Sequence, residues 1–512
     1  MRLVSWPYLE TWIGEGTLKV HPYQFETALR VIERLGGSGI LADEVGLGKT
    51  VETGIILAEM KARGLVDNAL ILVPAGLLNQ WVEELTSKFG FSPQRSARDS
   101  GWLWIYSIDA AKRSPLCEQL QCVWWDMVVV DEAHHLKNPE TQNYRLVASL
   151  WRRHLLLLTA TPMENRLTEL YNLVNLVKPG AFGSYLKFYR QFILETRTPK
   201  TVRQLRRLLG TVMVRNRRVA VGLNLPPRQV ELCPVELSPE ERELYERLTE
   251  ALRHEYHRRL DRDQTLLPLI AMQRELCSSP AALIPTLARQ EWLGDRLQPL
   301  LRLARSIQRP RKVTAVIELA AAVREPLLIF SEYRASCQAL AEALEAVGIP
   351  ARVFDGSLTP RARKALIEWF RAEGGVLLST EAGGQGLNLQ FCHRLVNFDL
   401  PWNPMRIEQR IGRLHRIGQT RPVDIFNFYA VDTIEEDILR LLHEKIDLFR
   451  QVVGDLDVII RHLERRGSFQ SRLLDIFFWE SDRERSRAAL DRLGEEFLAV
   501  RRRLGSQAPS PD

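Results

Sequence analysis

"LADEVGLGKTVETGII", residues 41–56, is the stretch on which the reading of the fold turns. Glycine-rich loops that cradle phosphate usually read G-x-x-x-x-G-K-[ST]. Gly48, Lys49 and Thr50 close that pattern, but Asp43 stands where its first glycine should be. The helix-like run "YQFETALRVIERL" and the short apolar pair Ile40-Leu41 come before it, and "VETGIILAEM" after it has helical periodicity. A loop that opens into a helix presents unpaired backbone N–H groups, and the helix dipole favours an anion there. Gly46 and Gly48, on either side of Leu47, allow close backbone approach to phosphate. Lys49 can reach the β and γ phosphates of ATP, and Thr50 can ligate Mg2+. Asp43 need not destroy such a cradle if the later glycines close it.

A partner for this loop lies further along. In "MVVVDEA" (127–133) an apolar strand runs into Asp131 and Glu132. Ligands of parallel sheets bind outside the carboxyl ends of the strands, which would set this acidic pair against the phosphate loop. Asp131 would hold magnesium, directly or through water, and Glu132 would orient and deprotonate the attacking water.

Short β-like runs recur around these two segments. "ALILVP" (69–74) and "HLLLLTATP" (154–162) belong to the first half, and "PLLIFSE", "ARVFDGS", "GGVLLST", "HRLVNFD" and "VDIFNFY" follow from 326 onward. Each run in the first half leads into a helical stretch, the signature of a mostly parallel sheet with helices on both faces. Residues 181–310 are rich in Arg, Glu and Leu at helical spacing and carry almost no strand signal. The expected fold is therefore α/β, with two lobes and a helical insertion between them. The expected boundaries are 1–180, 181–310, 311–432 and 433–512.

A chain of 512 residues is too long for a single core. Its apolar runs fall short of the ~20 residues that span a bilayer, and "MRLVSWPYLETW" lacks the basic start and apolar stretch of a signal peptide. The six cysteines include no C-x-x-C pair, which argues against structural zinc and against a disulfide framework. His254 and His257 are one residue short of zinc-protease spacing and are expected on an exposed helical face. The formal charge of +7 is unevenly spread, and residues 201–220 hold six arginines and no acid. Such a run suits either a solvated face or a stripe of phosphate contacts.

"LADEVGLGKT", "VVVDEAHHLKN" and "LLLLTATPMENRLTELYNLVNLV" resemble motifs I, II and III of superfamily-two helicase-like ATPases. Within these the chain looks like the Swi/Snf (sucrose-non-fermenting) group, whose phosphate loop commonly begins Asp-Glu, as Asp43-Glu44 does. On this resemblance Asp43 is a family mark, and the Val of "DEVGLGKT" together with "TATP" points to the bacterial RapA-like branch. "HPYQ" (21–24) is similar to the family's adenine-reading segment, and the amide of Gln24 can pair with adenine. Residues 214–248 resemble the link between lobes and the helical protrusion. "VFDGSLTPRARKALIEWF" and "LLSTEAGGQGLNLQFCHRLVNFDLPWNPMRIEQRIGRLHRIGQTRPV" resemble motifs IV through VI of the second lobe. The resemblance runs from about His21 to Val453 and implies two RecA-like lobes.

Arg410, Arg413 and Arg416 recur every three residues and are expected to share one helix face. The family pattern makes Arg413 and Arg416 arginine fingers that stabilise the charge of the transferring phosphoryl group, an effect of ~10³–10⁵ in rate. The resemblance also implies that nucleic acid lies away from the sheet ends that hold ATP, along Pro74, Thr380 and the Trp402-Asn403 region. Phosphate contacts of that kind bind without reading sequence. After a capping box from Thr433 to Glu436, the apolar positions Ile434, Ile438, Leu441, Leu442 and Phe449 suit a helical brace.

The expected function is a DNA-stimulated ATPase that tracks along double-stranded DNA and remodels protein–DNA complexes, using ATP and Mg2+. A strand-separating DNA or RNA helicase is the competing enzyme reading, against which stands "HRIGQ" at the end of motif VI. A scaffold that serves RNA polymerase or a defence or repair complex is the reading from another class, and intact Glu132, Arg413 and Arg416 argue against it. With Arg in excess of Lys and no lysine-rich nuclear signal, a bacterial cytoplasm and its nucleoid are the expected setting.

Overall fold

The computed structural model describes residues 20–44, 46–96, 100–159, 167–194, 204–205, 207–216, 221–222, 225–260, 267–380, 389–401, 404–440, 476, 485, 487–493 and 495. The chain divides into two compact units, Met1–Leu223 and Asn224–Asp512. Each is built on one six-stranded sheet whose strands pair in parallel throughout.

The first sheet comprises β1 (Gly39–Leu41), β2 (Ala69–Val73), β3 (Leu103–Ser107), β4 (Trp125–Val130), β5 (Arg152–Leu158) and β6 (Met213–Val214), in the order β3-β2-β4-β5-β1-β6. β2 is apolar throughout and β4 and β5 end in buried apolar runs, because helices cover both faces of the sheet there. Along β2 the side chains alternate between two cores. Leu70 and Leu72 join Val128 and Val130 on one face, while Ile71 and Val73 join Met127 and Val129 on the other. Burial of each such side chain is worth ~1.5–3 kcal/mol, so register is held from both sides.

The second sheet comprises β7 (Arg228–Val235), β8 (Leu327–Ser331), β9 (Ala351–Phe354), β10 (Val376–Thr380), β11 (Arg394–Asn397) and β12 (Val423–Ala430), in the order β7-β12-β11-β8-β10-β9. The two α/β lobes of the RecA-like kind are thus present, with strands at all five positions expected after residue 326.

Two strands fall in the stretch expected to be almost wholly helical. β6 pairs with β1, and β7 runs beside β12 from Arg228↔Val423 to Val235↔Ala430. Both are edge strands. β7, "RQVELCPV", is half exposed and includes Pro234, which an edge tolerates, so its composition reads as a linker. The division at 223/224 places helices Pro239–Leu260, Leu267–Ser278, Pro280–Leu287 and Leu297–Ser306 in the second unit. There Leu248, Leu252, Met272 and Leu283 share one core with Leu328 and Leu395 of the sheet.

Helix Ile434–Arg440 follows β12. Its cap is shifted by one residue from the expected box. Thr433 Oγ1 accepts from the Glu435 N–H (3.2 Å), and the Glu436 carboxylate accepts from the Asp432 N–H (2.9 Å). Arg487 bonds to Asp437 and Glu436 at 3.2 Å each, and Leu490 and Leu493 are buried in the same core. Leu441, Leu442 and Phe449 of the expected brace lie outside the described residues. Among the described residues no helix is long and apolar enough to cross a membrane. His254 and His257 stand exposed on helix Pro239–Leu260.

Candidate nucleotide site

The loop between β1 and helix Lys49–Ala62 closes through two left-handed glycines, Gly46 at φ 88° and Gly48 at φ 85°. The positive φ requires glycine at Gly48, and a Cβ there would sit 2.8 Å from Gln24 Nε2 and displace that amide. Asp43 has no such backbone demand, since its φ is not positive. Lys49 Nζ folds back to donate to the Asp43 carbonyl at 2.8 Å, and Thr50 lies in the first turn of the helix.

Gln24, expected to face adenine, is engaged at both ends of its amide. Its Oε1 accepts from the His21 N–H at 3.0 Å, and its Nε2 donates to the Leu47 carbonyl at 3.0 Å. The Tyr23 hydroxyl donates to the same carbonyl. Helix Pro22–Leu29 therefore fastens the phosphate loop, and pairing with a base would require Gln24 to exchange these bonds.

The Asp43 carboxylate is fully buried and turned into the protein. Its Oδ1 accepts from the Asn216 N–H at 2.8 Å and its Oδ2 from Asn216 Nδ2 at 2.9 Å. Asn216 Nδ2 also donates to Thr27 Oγ1 at 2.6 Å. Glu52 is buried beside them, and burial, then the negative charge of Asp43, push its carboxyl well above the usual range. Asp43 is an anchor of the loop; its side chain does not face a nucleotide. Sequence reading missed Asn216, Thr27 and Glu52. The one signal was an acid, Glu52, at the head of the largely apolar helical run "ETGIILAEM".

Asp131 and Glu132 emerge at the carboxyl end of β4. Asp131 Oδ2 accepts from Trp81 Nε1 and its Oδ1 from the Glu132 N–H, both at 2.8 Å. Glu132 adopts the left-handed region (φ 49°, ψ 48°), a strained conformation for a residue with a side chain. Its carboxylate lies 3.1 Å from His134 Nδ1. Burial, and then the charge of Glu132, push the Asp131 carboxyl up to about 6, against the pull of the Trp81 bond, the Glu132 N–H and the Lys49 ammonium. The loop lysine thus acts electrostatically on Asp131. A carboxylate held uncomfortably beside a like charge suits a bound cation. Among the described residues no cluster of three or more His, Cys, Asp or Glu could hold a metal by itself. A cation at Asp131 would take its other ligands from phosphate and water, as Mg2+ commonly does.

In the second unit the three motif VI arginines do not share a helix face. The helix ends at Ile411, and Arg413 and Arg416 lie in the turn that follows it. Gly412 opens that turn, and Gly418 (φ 100°) and Gln419 close it. Gln419 Nε2 donates to the carbonyls of Gln390 and Cys392 at 3.0 Å, and its Oε1 accepts from the N–H groups of Thr420 and Arg421. The Gln of "HRIGQ" is therefore a clasp. Arg410 is separate and structural, buried with Nη1 on Asn397 Oδ1 (3.1 Å) and the Asp399 carbonyl (2.8 Å).

Pro74 directly follows β2, and Thr380 ends β10. Pro74 therefore leaves its sheet at the same edge as the phosphate loop, because every loop that follows a strand of a parallel sheet leaves at one edge. Trp402 lies outside the described residues.

Residues 23–94 and 104–282 match the SNF2-related domain, and residues 311–418 match the helicase conserved C-terminal domain. The chain is 40% identical over 499 residues to YqhH of Bacillus subtilis (strain 168), described as an ATP-dependent helicase, covering 95% of this chain and 88% of that protein. It is 30% identical to the putative ATP-dependent helicase/translocase YwqA of the same organism, covering 86% of this chain and 49% of the relative. Among solved structures it is similar to the Sulfolobus solfataricus SWI2/SNF2 ATPase core in complex with dsDNA, at 25% identity, a TM-score of 0.41, and coverage of 87% and 95% of the two chains. The chain belongs to the SNF2-related family of ATP-dependent helicases.

Proposed function

We propose that this chain hydrolyses ATP to move along double-stranded DNA, displacing or remodelling bound protein without separating the strands. The observation that carries the reading is the pairing of a left-handed glycine loop at a helix amino terminus with the Asp131-Glu132 pair, in which Lys49 reaches Asp131 electrostatically. In this reading the N–H groups around Gly46, Leu47 and Gly48 and the Lys49 ammonium bind the phosphates, and release of Lys49 from the Asp43 carbonyl frees it for them. Thr50 and Asp131 hold Mg2+, which would neutralise charge on the phosphate oxygens. Glu132, steadied by His134, takes the proton of the attacking water. Gln24 reads the base. Arg413 and Arg416 supply positive charge to the transition state, which ties hydrolysis to the arrangement of the two units.

Pro74, Thr380 and Trp402 are assigned to the nucleic-acid path. Contacts to phosphates on two strands favour B-form spacing over A-form RNA. ATPase rate should therefore rise more with duplex DNA than with a matched single strand or an RNA duplex. The effect should be independent of base sequence and fall steeply as salt rises. A triplex-displacement assay should report movement while a forked duplex stays paired. Strand separation, or stronger stimulation by single strands, would replace this reading with that of an unwinding helicase. A bacterial nucleoid is the setting this activity suits, and copurification tests for RNA polymerase or a repair or defence complex as the partner.

A further inference from the structure

The turn that bears Arg413 and Arg416 is fixed from an unexpected direction. Between the two arginines lies His415, which is buried, and its ring is bonded at both nitrogens. Nε2 lies 2.8 Å from the Pro226 carbonyl, and Nδ1 lies 3.0 Å from Arg228 Nε. A carbonyl can only accept, so Nε2 carries the hydrogen. Arg228 Nε–H can only donate, so Nδ1 is bare. The ring is therefore held as the neutral Nε2–H tautomer. Arg228 is held in turn by Glu408, which is buried on helix Pro404–Ile411 and takes Nη1 on both oxygens at 2.8 and 3.0 Å. The His415 N–H donates to the Ile411 carbonyl at 2.8 Å, so the ring has little freedom relative to that helix end.

Pro226, Pro227 and Arg228 are among the first residues after the division between the two units at 223/224. Two consecutive prolines have fixed φ and transmit displacement instead of absorbing it. The Pro227 carbonyl then accepts from the Val423 N–H at 3.0 Å, which starts β7 on β12.

We propose that His415 and Arg228 are positioning residues that couple the segment joining the two units to the turn carrying Arg413 and Arg416. In this arrangement the rate of phosphoryl transfer, and not nucleotide affinity, depends on the joint. The inference rests on the finger reading of Arg413 and Arg416, and R413A is the control for that reading.

The test compares ATP binding and DNA-stimulated turnover in full-length wild type, R413A, H415A, H415Q and R228K. Misplacement of a catalytic group by about 1 Å can cost ~10²-fold in rate, and H415A should lose kcat on that scale. Its affinity for ATP should stay within about two-fold, the mark of an interaction made only in the transition state. Gln offers one donor and one acceptor in place of the ring nitrogens, so H415Q should recover to within about five-fold of wild type. Native turnover in H415A beside a slow R413A overturns the joint and leaves the fingers standing. Native turnover in R413A overturns both. A loss in H415A that H415Q does not rescue, or a loss of ATP affinity, assigns His415 to general stability and overturns the proposal. Should H415A fail to fold, R228K carries the test, because lysine keeps a cation near Glu408 but cannot also serve His415 in a fixed geometry. It must lose kcat at unchanged ATP affinity, and a native rate refutes the coupling.

Discussion

Asn216→Ala isolates the anchor under the phosphate loop. The backbone N–H of residue 216 keeps its 2.8 Å bond to Asp43 Oδ1, so only the side-chain contribution is removed. That contribution is the 2.9 Å bond from Nδ2 to Asp43 Oδ2 and the 2.6 Å bond to Thr27 Oγ1. A hydrogen bond to a charged group contributes ~1.5–3 kcal/mol, and here the abandoned oxygen is fully buried. The Thr27 hydroxyl keeps its bond to Glu52 and is counted as neutral. The expected loss is therefore ~2–3 kcal/mol in the first unit, or a drop of roughly 4–12 °C in its melting transition. Urea or thermal unfolding of the full chain reads this directly. Asp43→Asn in the same background removes the stranded charge. It should cost less there than in wild type, with a coupling of ~1–2 kcal/mol in a double-mutant cycle. A melting point for N216A within 1 °C of wild type, or strict additivity with D43N, would refute the reasoning.

The remaining expectations concern the chemistry. Lys49→Ala should weaken ATP binding and abolish turnover, and near-native hydrolysis in that variant removes the phosphate-loop assignment. Glu132→Gln should bind ATP with magnesium normally and turn over at least ~10²-fold more slowly, the scale of general-base loss; normal turnover moves the base elsewhere. Arg413→Ala and Arg416→Ala should spare nucleotide affinity and collapse DNA-stimulated hydrolysis, as single-turnover and binding measurements will show. Asp131, with its carboxyl pushed up from 3.8 to about 6, is protonated in folded and unfolded chains alike below pH 3.8. As pH rises to about 6 the unfolded chain releases that proton first, so the metal-free wild type should lose stability relative to D131N. Parallel pH profiles for the two proteins would count against a burdened Asp131.

What could be read in the chain beforehand was local and periodic. The runs "ALILVP", "MVVVDEA" and "PLLIFSE" each became a buried parallel strand, because a strand covered on both faces must be apolar along its length. β6 and β7 escaped because an edge strand needs no apolar run. The helix face assigned to Arg410, Arg413 and Arg416 failed for a related reason. Spacing by three says nothing about where the helix stops, and the turn beyond Ile411 is held by a glutamine that satisfies carbonyls of residues 390 and 392. Trp81 on Asp131 and Asn216 on Asp43 were invisible as well. Partners 50 and 173 positions apart leave no periodic trace in either segment.

The aspartate in place of the first glycine then has a physical account. The demand for left-handed backbone in this loop falls on Gly46 and Gly48, so position 43 is free to carry a side chain. That side chain reaches inward to Asn216, while its carbonyl holds Lys49 from the other side. Asn216 lies just before the division between the units, and Pro226 and Arg228, which grip His415, lie just after it. One short stretch of chain is thus hydrogen-bonded at its start to the phosphate loop and at its end to the turn bearing Arg413 and Arg416.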